Sequence, residues 1–258
     1  MKRDKSEAVQ ALWSGFKGMV RTVFVWFCIG VTGALIGSLC ILCYPLNPGG
    51  RLNHRLAGLW GKIAIWANRV NMRVEGLHHV PGQGPYVFMS NHQGSYDIFA
   101  LLGYLPFDYK WLAKKEIFSI PIIGWAMKAT GYIFIDREGT RETVKAMNEA
   151  AEKIHKGMSV VVFPEGTRSP NDSLLPFKKG GFTLAIKSKV PIVPIAITGS
   201  GKIIPKGKLA VYPGSISIRV DRPIETSGCT MKDREALMDQ VHGVILNNLK
   251  LISQEGGK

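Results

Sequence analysis

The sequence predicts an α/β fold with a mixed, mostly parallel central sheet flanked by helices, preceded by an N-terminal helical hairpin. From Val74 onward, short apolar runs alternate with stretches of helical periodicity, which is typical of parallel strands joined by helices. Before that point, Thr22 to Leu46 carry no charge over 25 residues, enough for a helix of about 37 Å that reaches across a hydrocarbon core. We therefore predict a membrane-associating hairpin over residues 1–75 and an α/β domain over residues 76–258.

The chain is strongly basic, which limits the classes of partner. Its 258 residues include 33 Lys and Arg against 19 Asp and Glu, a formal net charge of +14. Such an excess favours anionic partners. The basic residues do not alternate with aromatic ones as in nucleic-acid-binding modules, so we expect no nucleic acid and favour an anionic membrane surface or phosphorylated small molecules. Three of the four cysteines lie in the apolar run, which favours a reducing compartment over a disulfide framework.

The second arm of the hairpin follows a turn at residues 45–50 and has amphipathic helical spacing. One stripe of this arm is apolar: Leu52, Leu56, Leu59, Ile63, Trp66 and Val70. Basic residues flank the stripe: Arg51, Arg55, Lys62, Arg69 and Arg73. This pattern is typical of a helix in the membrane interface. The alternative is an ordinary amphipathic helix packed on the domain. Basic residues lie on both sides of the first arm, so they give no bias in its orientation across the membrane. Whether this arm spans the bilayer or dips into one leaflet also stays open.

The α/β part resolves into a series of short elements. The predicted strands are Tyr86–Ser90, Tyr109–Ala113, Tyr132–Ile135, Ser159–Phe163, Ile192–Thr198, Leu209–Tyr212 and Ser215–Val220. The predicted helices are Asp97–Gly103, Gly124–Thr130, Thr140–Lys156, Gly181–Ser188 and Met231–Ile252. The last two strands are joined through Pro213-Gly214, which favours an antiparallel hairpin. The sheet is therefore expected to be mixed.

A histidine and an aspartate mark the passage from the first of these strands to the first helix. His92 and Asp97 are five residues apart, and Gly94 between them supplies a turn that lets the two side chains face each other. A carboxylate on one imidazole nitrogen fixes the tautomer and leaves the other nitrogen to take a proton. The pair therefore predicts a general base. The alternative is that His92 caps a loop and Asp97 caps a helix.

Charged residues follow three other predicted strands. Lys114 comes directly after one strand, Arg137 after another, and the loop Glu165-Gly166-Thr167-Arg168 after a third. Guanidinium groups bind phosphate oxygens in a forked geometry, so Arg137 and Arg168 are candidate phosphate ligands. The alternative for each is a surface ion pair with its acidic neighbour.

Together these segments resemble the glycerolipid acyltransferase superfamily, and specifically the lysophosphatidate (1-acylglycerol-3-phosphate) acyltransferases. Its four ordered blocks match Asn91-His92-x4-Asp97, Ile135-Asp136-Arg137, Phe163-Pro-Glu-Gly-Thr-Arg-Ser169 and Val190-Pro-Ile-Val-Pro194. The resemblance covers roughly residues 75 to 220, with no departure at the motif residues.

The resemblance implies an O-acyltransferase of phospholipid biosynthesis. It would move a fatty acyl group from acyl-CoA or acyl-carrier protein to the sn-2 hydroxyl of lysophosphatidate, giving phosphatidate. His92 would be the general base and Asp97 its orienting partner. The implied phosphate-binding residues are Arg168 with Gly166, Thr167 and Glu165, and Lys114 and Arg137 in lesser roles.

The resemblance also sets expectations about cofactors and location. Neither a metal nor a cofactor is expected, because the thioester is already activated. The expected partners are the two substrates, the bilayer and, for one donor type, acyl-carrier protein. The enzyme would be membrane-bound with its catalytic domain on the cytoplasmic face, at the inner membrane in a bacterium.

Other functions stay open at this stage. The acceptor can be another lysophospholipid or glycerol-3-phosphate, since similar blocks would serve them. A serine lipase or hydrolase using His92 is an alternative, although the chain has no Gly-x-Ser-x-Gly elbow. A membrane-bound phosphate or nucleotide binder is another, because Gly199-Ser-Gly-Lys202 resembles part of a P-loop; the earlier glycine is missing, since position 196 is Ala.

Overall fold

The structure is a computed structural model that describes residues 2–47, 49–82, 84–135 and 141–255, and it leaves out the side chains at 2–14, 114, 115, 135 and 141–143. The helices and strands within these ranges are α1 (Lys2–Cys43), α2 (Arg51–Ala67), β1 (Asn71–Glu75), β2 (Val87–Ser90), α3 (Tyr96–Tyr104), β3 (Tyr109–Lys114), α4 (Ile123–Ala129), β4 (Ile133–Ile135), α5 (Arg141–His155), β5 (Ser159–Val162), α6 (Lys179–Ser188), β6 (Ile192–Thr198), α7 (Ser200–Ile203), β7 (Ser215–Val220) and α8 (Arg234–Glu255).

The strands of these ranges form one sheet in the order β1-β7-β6-β2-β5-β3-β4. All neighbours run parallel except β6 and β7, which are antiparallel. The predicted mixed, mostly parallel sheet is therefore confirmed. Because β2, β5 and β3 are parallel neighbours, the loops that follow them meet at the same edge of the sheet, where α/β proteins place their sites.

Both faces of the sheet are covered, as a parallel sheet requires. Successive residues of β2 point to opposite faces: Phe88 packs in the core beneath α2 and α3, whereas Val87 and Met89 pack in the core beneath α5, α6 and α8. These three side chains are fully buried. The continuous apolar run of this strand follows from burial on both faces.

The predicted hairpin of Leu209–Tyr212 with Ser215–Val220 is wrong. Leu209–Tyr212 forms no strand; α1 side chains take up part of its backbone, with Trp26 Nε1 donating to Leu209 O at 2.9 Å and Val211 N donating to Thr22 Oγ1 at 3.1 Å. β7 pairs instead with β6 and with β1.

Strand β1 was not predicted, because its alternating charges continued the basic flank of the preceding helix. It places residues 71–75 in the sheet; the division into two domains stays a prediction. The other predicted helices and strands are present, with bounds that differ by at most three residues.

Helix α1 lies along the domain with one face. Val25 and Ile29 are buried, Trp60 Nε1 donates to Ile29 O at 3.1 Å, and Asn53 Nδ2 donates to Cys40 O at 3.0 Å. The opposite face exposes large apolar side chains, among them Phe27 at 66% and Leu35 at 66%. Its segment Gly15–Leu46, with mean hydropathy 2.2, is long and apolar enough to cross a membrane by length and composition.

Helix α2 faces the domain with small and polar residues rather than with its apolar stripe. Asn53, His54, Gly61 and Ala64 are among its buried residues. The stripe residues Leu52, Leu59 and Trp66 are 45%, 50% and 73% exposed. These three residues of the predicted stripe therefore point away from the domain, whereas Val70 at its end is buried in the core.

The small residues of α2 allow close packing on α3, and Gly61 is the tightest point. A Cβ at Gly61 would lie 2.6 Å from Phe99 O. We expect Gly61→Ala to lower the free energy of unfolding by about 1–3 kcal/mol, because the two helices would have to separate. Gly243→Ala on α8 is the matched control, since a Cβ there meets nothing within 4 Å; it should be neutral or stabilising by up to about 1 kcal/mol. Denaturant unfolding in detergent measures both, and equal effects would contradict this packing.

Candidate active site

The loop between β2 and α3 carries His92 and Asp97 and turns sharply at Gly94. A Cβ at Gly94 would lie 2.6 Å from Ser200 O and 3.0 Å from Gly201 N. Only glycine allows this close approach to the backbone of α7. Asp97 N donates to Gly94 O at 3.2 Å, so the chain turns where the sequence predicted. Asp97 then sits in the first turn of α3, facing back toward the loop that it follows.

The predicted dyad is formed. His92 Nδ1 and Asp97 Oδ2 are 2.7 Å apart, and Asp97 is fully buried. The same carboxylate oxygen accepts hydrogen bonds from Gln93 N at 2.7 Å and Gly94 N at 2.9 Å. Backbone amides can only donate, so Oδ2 is the acceptor in these two hydrogen bonds, and the Nδ1 of the imidazole is the donor in the third. Asp97 therefore binds the backbone of the turn and orients His92 at the same time. A dyad and a capping role for Asp97, which the sequence offered as alternatives, are not mutually exclusive here.

The orientation of the His92 imidazole is also fixed by aromatic stacking. It stacks on Phe163 with ring centroids 4.0 Å apart and planes 11° from parallel, and Phe163 in turn stacks on Trp111 at 5.4 Å. The His92 side chain is 15% exposed, and no described residue hydrogen-bonds its Nε2. The ring therefore presents Nε2 as a proton acceptor in a fixed direction.

Glu165 hydrogen-bonds to the backbone of the loop that carries His92. Its Oε1 accepts from His92 N at 2.7 Å and its Oε2 accepts from Leu175 N at 3.0 Å. Burial raises the pKa of the Glu165 carboxyl, and the two amide hydrogen bonds oppose that rise. Within the described ranges no ion pair joins Glu165 to Arg168, so the surface ion pair that the sequence left as an alternative is not formed. The residue joins two backbone segments instead. A contact of Glu165 with substrate stays a prediction.

Arg168 reaches the same loop from the other side. Its Nη1 donates to Ser95 Oγ at 2.7 Å, and its carbonyl oxygen accepts from Lys206 Nζ at 3.0 Å. Ser95 is the N-cap residue of α3, yet its hydroxyl makes no cap hydrogen bond. The hydroxyl therefore fixes the guanidinium, a role that sequence reasoning missed because only a contact between residues 73 apart reveals it.

Asn91 is a further residue that the motif contained and whose contribution only the structure reveals. Its side-chain amide donates to Ile197 O at 2.9 Å, and its oxygen accepts from Ile197 N at 2.8 Å. This two-way pairing replaces a missing ladder contact at the end of β2 and fixes the loop to β6.

His92 and Arg168 open into one cleft of about 920 Å³. Its polar lining comes from the strand-end loops and includes Ser95, Gly166 and Thr167, and the backbone at Gly166 has a φ of 72°. Most of the remaining lining is apolar and comes from α1, α2, α3 and α4. Lys114 and Arg137 cannot be placed in this cleft: the side chain of Lys114 and all of Arg137 lie outside the described residues.

Comparison with known proteins bears directly on this site. The family model described as Acyltransferase matches residues 71–198, which include the dyad and the Arg168 loop. Over 251 residues the chain is 33% identical to the 1-acyl-sn-glycerol-3-phosphate acyltransferase of Limnanthes douglasii, covering 95% of this chain and 86% of that protein. The chain belongs to the acyltransferase family. The predicted resemblance to the lysophosphatidate acyltransferases, and the expected O-acyltransferase class, are confirmed.

Other relatives of this acyltransferase carry the same description. It is 36% identical to chloroplastic 1-acyl-sn-glycerol-3-phosphate acyltransferase BAT2 of Brassica napus, over 89% of this chain and 67% of that protein. It is 38% identical to the human 1-acyl-sn-glycerol-3-phosphate acyltransferase alpha, over 72% and 66%. The chain thus spans about two thirds of the length of these relatives. The crystal structure of the 1-acyl-sn-glycerophosphate (LPA) acyltransferase PlsC of Thermotoga maritima superposes with a TM-score of 0.81 at 26% identity, covering 93% of this chain and 97% of that one.

Removing the charge of Glu165 tests its role under the catalytic loop. Glu165→Gln replaces one acceptor oxygen with an NH2 group that faces a backbone N–H, so we expect a loss of about 1–3 kcal/mol in the free energy of unfolding. Turnover should fall with it, because His92 loses its support. Glu152→Gln, on an exposed carboxylate paired with Lys156, is the control and should change neither quantity. Denaturant unfolding and initial rates measure both; wild-type values for Glu165→Gln would contradict the assignment.

Proposed function

We propose that this enzyme transfers a fatty acyl group from an acyl thioester to the sn-2 hydroxyl of 1-acylglycerol-3-phosphate, producing phosphatidate and the free thiol of acyl-CoA or acyl-carrier protein. One observation carries the proposal: the His92–Asp97 pair, with its 2.7 Å hydrogen bond, lies in the same cleft as Arg168. The descriptions of the relatives support the choice of acceptor.

The chemistry needs only the residues at this end of the cleft. His92 Nε2 takes the proton of the sn-2 hydroxyl while the alkoxide oxygen attacks the thioester carbonyl. When the tetrahedral intermediate collapses, the C–S bond breaks and the imidazolium returns its proton to the leaving thiolate. Asp97 stabilises the imidazolium in between. Positioned proton transfer of this kind contributes about two to four decades in rate. The thioester is already activated, so the proposed reaction uses no cofactor.

Arg168 is the proposed ligand of the acceptor phosphate. The hydrogen bond from Nη1 to Ser95 leaves the other guanidinium N–H groups for phosphate oxygens, a geometry that suits arginine better than lysine. Gly166 and Thr167 shape the loop that holds it. Lys114 and Arg137 stay lesser candidates.

A bilayer-bound acceptor and a cytoplasmic thioester donor would place this site at the cytoplasmic membrane surface, the inner membrane in a bacterium. The exposed apolar side chains of α1 and of the α2 stripe support that placement. The contacts of α1 with the domain extend from Thr22 to Cys40, which favours seating in one leaflet over crossing the bilayer. The excess of basic residues favours anionic lipid.

The serine hydrolase alternative finds no support in the geometry. Ser95 Oγ is bound to Arg168 and Ser90 Oγ donates to Asn91 O at 3.0 Å. Among the described residues no serine hydroxyl hydrogen-bonds His92, so none is placed as its nucleophile.

A purified-enzyme assay with product mass as readout tests the proposal. The acceptors are 1-acylglycerol-3-phosphate, glycerol-3-phosphate and lysophosphatidylcholine, each with acyl-CoA and with acyl-carrier protein. We expect phosphatidate from the first acceptor, a loss of about 10²- to 10⁴-fold in kcat for His92→Ala, and mainly a higher acceptor KM for Arg168→Ala. Full activity of His92→Ala, or faster acylation of lysophosphatidylcholine, would overturn the assignment.

Ser95 is predicted to position Arg168. Ser95→Ala removes a hydrogen bond to a charged group, so the KM for 1-acylglycerol-3-phosphate should rise about tenfold or more while kcat changes little. Ser95→Thr keeps the hydroxyl and should restore the wild-type KM. The split between the two kinetic constants is the measurement, since a general loss of folding would lower kcat as well.

A further inference from the structure

A second apolar surface lies outside the helical hairpin, around α4. The turn before α4, α4 itself and the edge strand β4 expose five large apolar side chains. These residues, here the α4 patch, are Ile117, Ile120, Ile123, Trp125 and Phe134, which are between 37% and 56% exposed. Large apolar side chains clustered at the surface usually mark a binding surface, and no role has so far been given to these.

The sequence around the α4 patch has the composition of an interfacial segment. Residues 117–127 contain no charged side chain, and the segment is bounded by Lys114, Lys115 and Glu116 on one side and by Lys128 on the other. Tryptophan and flanking lysines are the residues that favour the boundary between headgroups and hydrocarbon.

The α4 patch is fixed to the apolar helix α1. Ile122 adopts a φ of 63°, which is rare for a β-branched residue. In this conformation Ile122 Cγ2 packs against Gly37 of α1: a Cβ added at Gly37 would lie only 2.9 Å from it. Ile122 thus fills a notch in α1 that only glycine leaves open. Leu35, Leu39 and Leu42, within five residues of Gly37 along α1, are 66%, 43% and 75% exposed. By helical spacing they point away from the side of α1 that contacts α4.

We propose that the α4 patch is a second bilayer-contacting surface, on the helix that packs beside α1. The proposal rests on the proposed function in one respect, namely that the acceptor is a lipid. Ile117 and Ile123 are exposed and also line the cleft. Contact of α4 with the bilayer therefore gives lipid chains a path into the cleft that avoids water.

The occupant is a bilayer rather than another protein because of extent and composition. Exposed apolar side chains run along α1 from Phe16 to Leu42, and α4, which packs against α1 at Gly37, exposes the α4 patch. The patch itself has no ionised group that would pair with a partner protein, and three lysines against one glutamate bound the segment, which favours anionic headgroups.

Vesicle flotation with charge-inserting variants tests the proposal. Ile120 and Trp125 do not line the cleft, so the double variant Ile120→Asp/Trp125→Asp should leave turnover of a monodisperse short-chain acceptor unchanged. We expect its partition onto vesicles of phosphatidylglycerol and phosphatidylethanolamine to fall about tenfold or more. The control is Leu246→Asp. Leu246 is 37% exposed and lies on α8, which covers the opposite face of the sheet. The partition of this variant onto vesicles should stay within about twofold of wild type.

A site-specific probe gives an independent measurement. In a background with the four cysteines replaced by alanine, a polarity-sensitive fluorophore on Ile120→Cys should shift to the blue on vesicles and be quenched by nitroxide-labelled lipid; on Leu246→Cys it should do neither. A probe at 120 that stays in water while the enzyme is vesicle-bound would overturn the proposal. So would a double variant that keeps vesicle binding but loses a concentration-dependent dimer in sedimentation. These readouts need no turnover, so an inactive enzyme with wild-type vesicle binding would contradict the proposed function alone.

Discussion

The geometry of the candidate site depends on one buried carboxylate oxygen. Asp97 Oδ2 accepts hydrogen bonds from the imidazole of His92 and from the backbone amides of Gln93 and Gly94. Taking a carboxylate fully out of water is costly unless such donors replace the water. The loop and the histidine are therefore not independent features. The Asp97 carboxylate that fixes the tautomer of His92 also stabilises the turn that carries this histidine.

Three further contacts fix the loop to the sheet. Asn91 joins it to β6, Glu165 joins it to the loop after β5, and Ser169 N donates to His92 O at 2.8 Å. Each of these uses a buried polar group whose partner is backbone. Because the contacts come from different strands, His92 and the Arg168 loop are held relative to one another. Such preorganisation is what the proposed proton transfer and phosphate recognition in one cleft require.

The sequence was sufficient for the local parts of this arrangement and insufficient for the long-range parts. The dyad was predictable because its two members and the glycine between them lie within six residues. The partner of Ser95 was not, since Arg168 is 73 residues away. Leu209–Tyr212 is a short apolar run like those of the strands, yet α1 side chains hydrogen-bond to its backbone. Apolar spacing identified the stripe of α2 correctly, but spacing cannot tell whether a stripe faces the core or the surroundings.

Helix α1 has a structural role in the domain in addition to the membrane role that its exposed apolar surface suggests. It buries Val25 and Ile29 in the core beneath α2 and α3, and Trp26, Gly33 and Gly37 form part of the cleft wall. Removing the chain before residue 44 to improve solubility would therefore open the cleft to water and expose part of the core. The helix with the largest exposed apolar surface is thus also a wall of the cleft that holds His92.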